Sequence, residues 1–133
     1  LYLFDTFEGF AVDRDKVQKE DENAFKDTSI DLVLSKMKTP ENCIIKKGWF
    51  PKTTEGVEDV FCLVSLDADL YEPIYAGLEY FYPRLAKGGY ILVHDYNNFH
   101  YTGVKEAVNE FCKKYEIGFV PIVDRSFSII ITK

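Results

Sequence analysis

Two aspartates each follow an apolar run: Asp67 comes after Phe61-Cys62-Leu63-Val64-Ser65-Leu66, and Asp95 follows Gly89-Tyr90-Ile91-Leu92-Val93-His94 twenty-eight residues further on. Carboxylates at the ends of two nearby strands offer the hard oxygen donors that magnesium or calcium takes. In open α/β sheets, ligands bind outside the carboxyl ends of the strands. Each acid also has a plainer reading. An acid after a strand often caps the next helix, and Asp95 leads the turn-rich cluster Tyr96-Asn97-Asn98, where an Asx turn competes.

The elements that must position this pair follow from periodicity. Continuous apolar runs at 61–66 and 90–93 are of the kind buried on both faces of a parallel sheet. Between them, Asp69-Leu70-Tyr71-Glu72 has capping-box spacing, with Asp69 as the cap. Ile74, Leu78, Phe81 and Leu85 then recur at helical steps, and Lys87-Gly88-Gly89 is expected to stop that helix. A right-handed crossover brings the two strands side by side or one strand apart. With neighbours roughly 4.8 Å apart, Asp67 and Asp95 come within reach of one divalent cation.

The rest of the chain reads as strand Leu1–Phe4, a polar segment from Asp13 to Asp27 expected to be a loop or short lid, and a helix opened by Thr28-Ser29-Ile30-Asp31. That helix carries Ile30, Val33, Leu34 and Met37 on one face. A short strand at Cys43–Ile45 leads into Lys46-Lys47-Gly48-Trp49-Phe50-Pro51. Beyond Asp95, Thr102 is placed to cap a helix with Val104, Ala107, Val108, Phe111 and Tyr115 inward, ended by Gly118. Strands at 119–122 and 127–132 follow, close enough for an antiparallel hairpin. The order is strand, helix, strand, strand, helix, strand, helix, strand, strand, an α/β three-layer pattern.

With 133 residues, 47% of them hydrophobic, the chain has room for one domain, 1–133. The net charge of −6 argues against a nucleic-acid surface. No apolar stretch approaches the roughly 20 residues of a membrane span. Cys43, Cys62 and Cys112 lack metal-ligand spacing and read as free thiols, Cys62 inside a buried strand, which points to the cytoplasm. The first residue is Leu, already in a strand, and no signal-peptide pattern precedes it. The expectation is therefore a piece of a longer protein, trimmed at its start.

Four blocks resemble the macrocin O-methyltransferase family of S-adenosylmethionine-dependent enzymes. They are Phe4-Asp5-Thr6-Phe7-Glu8-Gly9-Phe10, Lys47-Gly48-Trp49-Phe50, Leu66-Asp67-Ala68-Asp69-Leu70-Tyr71-Glu72, and Gly88-Gly89-Tyr90 through His94-Asp95-Tyr96. The resemblance implies a Rossmann-like class I methyltransferase fold with a mostly parallel sheet and an antiparallel C-terminal hairpin. Here the first strand and its glycine-rich loop would be lacking, which would leave a gap in the sheet or force its neighbours to pair.

The resemblance also implies site roles. Asp5, with Thr6, would hold the ribose hydroxyls of S-adenosylmethionine, and Gly48, Trp49 and Phe50 would wall its adenine. From the residues alone, Asp5 could equally stabilise a turn and Trp49 plug a core. Asp67 and Asp95 would ligate magnesium, with His94 standing where the family often has a carboxylate. Histidine is a softer, nitrogen donor, so affinity falls, the metal differs, or Asn97 or Asn98 supplies an oxygen. The implied reaction is metal-assisted methyl transfer to a hydroxyl, expected to belong to a sugar in a glycoside or polysaccharide, with Asp67, His94 or His100 taking the proton. Ordinary packing competes for both histidines, and for Tyr71, Tyr96 and Tyr101 as walls of an acceptor pocket. Two other readings stand beside this one: a non-catalytic remnant that forms homo-oligomers, and an unrelated nucleotide- or phosphate-binding α/β domain with an acidic metal site.

Overall fold

The computed structural model describes residues 1–10, 25–125 and 127–133. The expected polar segment from Asp13 to Asp27 lies mostly outside these residues. The chain divides into two compact units, Leu1–Val57 and Glu58–Lys133.

In the first unit, β1 (Tyr2–Asp5) pairs in parallel with β2 (Ile44–Lys47), with Asp5 opposite Lys47. The connection contains α1 (Ile30–Ser35), which starts where the sequence expects it. Ser29 caps it, accepting from the Leu32 N–H at 3.1 Å. β2 begins one residue later than expected and runs on through Lys47.

The second unit holds β3 (Phe61–Leu66), α2 (Tyr71–Phe81), β4 (Leu85–Val93), α3 (Thr102–Tyr115), β5 (Val120–Pro121) and β6 (Ile129–Thr132). Its sheet order is β3-β4-β6-β5, with β3 and β4 parallel and β6 antiparallel to both of its neighbours. The crossover through α2 thus places its two strands side by side. The six described strands form two sheets, one in each unit.

One face of the four-stranded sheet carries the core. Val64, Leu66, Ile91, Val93, Ile129 and Ile131 are buried together with Ile74 and Leu78 of α2 and Val104, Ala107, Val108 and Phe111 of α3. α2 lies close on β3: a Cβ added to Gly77 would meet Leu66 Cδ1 at 2.6 Å, so a larger residue there would push the helix off the strand. The other face is open, and the register partners Leu63 and Tyr90 are exposed. β3 is therefore an edge strand covered on one face, not the strand buried on both faces that its apolar run suggests. Cys62, expected inside, is exposed.

Two boundaries differ from expectation. α2 ends at Phe81, because Pro83 cannot continue it, and Leu85 is a buried residue of β4 paired with Phe61. Lys87-Gly88-Gly89 is not a helix stop but a bulge inside β4. The register passes from Phe61↔Leu85 to Leu63↔Tyr90 across it. A Cβ at Gly89 would meet the carbonyl oxygens of Ala86 and Cys62 at 3.0 Å and of Phe61 at 3.1 Å, which explains the glycine. The second difference concerns helix starts. α2 and α3 are preceded by Leu70 and Tyr101 with no side-chain cap, so neither Asp69 nor Thr102 serves as one. At its far end, α3 closes on Glu116 in the left-handed region, two residues before Gly118.

Candidate functional site

β3 and β4 end in register, Leu66 opposite Val93, and the His94 N–H donates to the Leu66 carbonyl at 3.0 Å. Parallel pairing therefore delivers Asp67 and the His94-Asp95 pair to one edge. His94 Nδ1 lies 3.3 Å from Asp67 Oδ1 and 2.8 Å from Asp95 Oδ2. One donor atom from each of the three falls within 4.8 Å of the others, compact enough for one metal ion. Asp95 is buried, His94 partly so, and Asp67 exposed.

Asp95 is fixed from two sides. Its backbone is left-handed at φ 59°, and its carbonyl accepts from the Asn98 N–H at 3.0 Å. The Asn98 side-chain amide donates to Asp95 Oδ1 at 2.8 Å, while Asn98 Oδ1 accepts from the His100 N–H at 2.9 Å. Asn97 Oδ1 accepts from Lys105 Nζ at 3.0 Å. Both asparagine oxygens are thus engaged elsewhere, and the third donor facing the two aspartates is the His94 nitrogen. The turn weighed for Asp95 is present, and it coexists with the cluster instead of replacing it.

Asp69 belongs to this neighbourhood. Its backbone is also left-handed, φ 57°, and its carboxyl hydrogen-bonds Asp95. Burial, followed by the charges of Asp67 and Asp95, pushes its pKa up to about 7. Asp67, although its side chain reaches solvent, is raised as well, foremost by the partial desolvation that neighbouring protein imposes, with His94 opposing and Asp95 adding. For His94, burial acts downward, but the hydrogen bond to Asp95 and the charges of both aspartates outweigh it, and the imidazole's pKa rises. Shifts that are all upward are what a group of acids crowded around one base produces. The sequence hid Asp69 because its spacing to Glu72 mimics a capping box. The Asp95-to-Asn98 spacing was the available signal for the clamp.

Other expected site residues separate into two groups. In the first unit, Asp5 and Gly48 meet at the end of the two-stranded sheet, where the Gly48 N–H donates to the Asp5 carbonyl at 2.9 Å. Asp5 Oδ1 accepts from the Phe7 N–H, so the turn role is real, and its carboxylate is exposed. The Thr6 hydroxyl donates to the Gly9 carbonyl at 2.6 Å. Trp49 and Phe50 are half-buried, with Phe50 edge-on to Phe4 at 6.2 Å. In the second unit, the hydroxyls of Tyr71 and Tyr96 donate to Glu110 at 2.7 Å and Asn109 at 2.8 Å, tying both residues to α3. His100 packs edge-on to Tyr101 at 4.7 Å and is not a member of the cluster. Among the described residues, no helix is long and apolar enough to cross a membrane.

Comparison with known proteins adds to this geometry. A family model described as Macrocin-O-methyltransferase (TylF) matches residues 1–124. A stretch of 72 residues, 53% of this chain, is 35% identical to demethyldecarbamoylnovobiocin O-methyltransferase of Streptomyces niveus, covering 27% of that protein. A second such stretch is 33% identical to the 8-demethyl-8-(2,3-dimethoxy-alpha-L-rhamnosyl)-tetracenomycin-C 4'-O-methyltransferase of Streptomyces olivaceus, covering 26% of it. Among solved structures, the O-methyltransferase NovP matches with a TM-score of 0.79 and 25% identity over 99% of this chain and 59% of its own. The calicheamicin methyltransferase CalS11 matches in fold, with a TM-score of 0.73 and 21% identity over 98% of this chain and 59% of its own. The fold is thus the Rossmann-like class I methyltransferase fold, and the chain spans less than two thirds of these relatives' length.

Proposed function

Because this chain belongs to the macrocin O-methyltransferase family, we propose that the protein moves the methyl group of S-adenosylmethionine to a hydroxyl of a sugar, in a glycoside or polysaccharide. The observation that carries the reading is the convergence of Asp67, His94 and Asp95 within 4.8 Å at the ends of β3 and β4. The sugar follows from the relatives, one of which is named for a rhamnosyl-tetracenomycin substrate.

In this reading Asp5 binds the cofactor's ribose, since an exposed carboxylate accepts hydrogen bonds from two hydroxyls, and charge strengthens both. Gly48, Trp49 and Phe50 wall the adenine. Asp67, His94 and Asp95 hold a divalent cation, for which magnesium is the family's usual choice. Their donor set fits one, with two carboxylates and a nitrogen on a shared centre. The cation would supply Lewis acidity, lowering the pKa of an acceptor hydroxyl and orienting it.

The chain's own residues do the rest. As the acceptor oxygen forms its bond to the methyl carbon, the carbon–sulfur bond breaks and the hydroxyl proton must leave. Asp67 is the exposed member of the cluster, and its raised pKa makes it a better base than an ordinary carboxylate. His94, hydrogen-bonded to Asp95, is the second proton acceptor at hand.

Calorimetric titration of the full-length protein with S-adenosylmethionine, then with a panel of glycosides, tests the reading. Cofactor binding followed by methylation of a sugar hydroxyl is expected; failure to bind the cofactor would overturn it.

A further inference from the structure

We propose that Phe99 is the platform on which the acceptor sugar stacks, and so a specificity-determining residue for the transfer. The inference rests on the sugar-methylating reading and deepens it by naming the contact that holds the sugar's apolar face.

Phe99 lies in the loop that leaves the cluster between β4 and α3, and it is 94% exposed. A single apolar ring in water is ordinary where the chain around it is loose. Here the chain is tied down on both sides of the ring. On the near side, the Asn98 N–H donates to the Asp95 carbonyl at 3.0 Å and the Asn98 side-chain amide to Asp95 Oδ1 at 2.8 Å. On the far side, the His100 N–H donates to Asn98 Oδ1 at 2.9 Å, closing an Asx turn with Phe99 at its centre. His100 in turn packs edge-on to Tyr101, the residue before α3. The fold thus holds an aromatic ring in water at a fixed place beside a carboxylate of the cluster.

The chemistry of such a platform suits a sugar. The ring face carries the negative side of the aromatic quadrupole, and the C–H bonds on one face of a pyranose are apolar and weakly positive, so the two surfaces lie flat on each other. A ring held in place beforehand loses little entropy when it is covered. Reach agrees with this. Asn98 touches Asp95 and Phe99 is the next residue, so its Cα lies within roughly 10 Å of the Asp95 carboxylate. A sugar ring is of a size to place one hydroxyl at the cluster and one face on Phe99.

The test uses the full-length protein, saturating S-adenosylmethionine and the simplest alkyl glycoside that wild type methylates, so that no aglycone ring competes for Phe99. Phe99→Ala should raise the acceptor's KM about tenfold and leave kcat within about twofold of wild type. Phe99→Tyr keeps the ring and should restore the wild-type KM. Calorimetry of the same glycoside on protein loaded with S-adenosylhomocysteine should show a matching loss of affinity in Phe99→Ala, with no turnover involved. The melting temperature and S-adenosylmethionine affinity of Phe99→Ala should match wild type, because so exposed a ring contributes little burial. An unchanged KM in Phe99→Ala, or a KM raised equally in Phe99→Tyr, overturns the proposal. So does a lowered melting temperature, which would show that the ring packs against protein. Wild type that binds S-adenosylmethionine but methylates no glycoside overturns the sugar reading itself, and that outcome is visible before any variant is made.

Discussion

The side-chain amide of Asn98 donates to Oδ1 of Asp95 at 2.8 Å and leaves Oδ2 to His94. One carboxylate is thereby divided, with one oxygen anchored to its own loop and the other presented to the cluster. Asn98→Ala should release that anchor. Cation affinity should fall about 10- to 100-fold, the usual cost of removing a partner that orients a ligand. Calorimetry with magnesium checks this, and an unchanged affinity would show that the left-handed turn alone fixes Asp95.

The acid crowding sets a pH dependence. In the folded protein the Asp69 pKa stands at about 7 against an ordinary 3.8. The native state therefore keeps a proton that the unfolded chain has lost, and stability falls as pH rises from about 4 to about 7. His94, also raised, stabilises fully below its ordinary 6.5 and loses that contribution as pH climbs through its folded value. Both act in the same direction. In the metal-free protein, Asp69→Asn should gain a few degrees of melting temperature over wild type at pH 8, and little at pH 4. Thermal melts across this range decide it; a pH-independent difference would contradict the assignment.

Asp5 serves both its own turn, through the Phe7 N–H, and, in the proposed function, the cofactor. Asp5→Asn keeps an oxygen for the turn and removes the charge. S-adenosylmethionine should bind about 10- to 100-fold more weakly, as expected for losing charge-assisted hydrogen bonds. Magnesium binding should be unaffected. Equal loss of both would indicate unfolding instead.

Gly89 sits in the bulge of β4 with three carbonyl oxygens 3.0 to 3.1 Å from where a Cβ would be. Gly89→Ala should cost about 1–3 kcal/mol, the range for overpacking a tight site. Urea denaturation of wild type and variant measures it, and a cost near zero would mean that β4 can shift against β3.

Gly89 also shows where the sequence was legible and where it was not. The order of elements follows correctly from periodicity, because the apolar faces of α2 and α3 and the runs of β3 and β4 each match their element. Two glycines after a helix-like pattern resemble a helix stop, and nothing local says that Leu85 already pairs with Phe61 across the sheet. Asp69 fails for a similar reason: capping-box spacing is a local signal, while the pull of Asp67 and Asp95 is tertiary. Asp67, His94 and Asp95 were readable because strand ends in parallel register put neighbouring residues at one edge whatever the loops do. Asn98 was legible as part of a turn led by Asp95, but that its amide nitrogen, not its oxygen, faces Asp95 is defined only by the folded backbone.

In the proposed function, Asp67 and Asp95 serve cation-assisted methyl transfer. Transfer of labelled methyl from S-adenosylmethionine to a glycoside acceptor, followed in the full-length protein with magnesium or with a chelator for wild type, Asp67→Asn and Asp95→Asn, tests this. Wild-type transfer should depend on the cation. Each variant should lose about 10²- to 10⁴-fold in rate while keeping its fold and its cofactor affinity. Transfer at the wild-type rate in both variants, or in wild type with chelator present, would contradict the account.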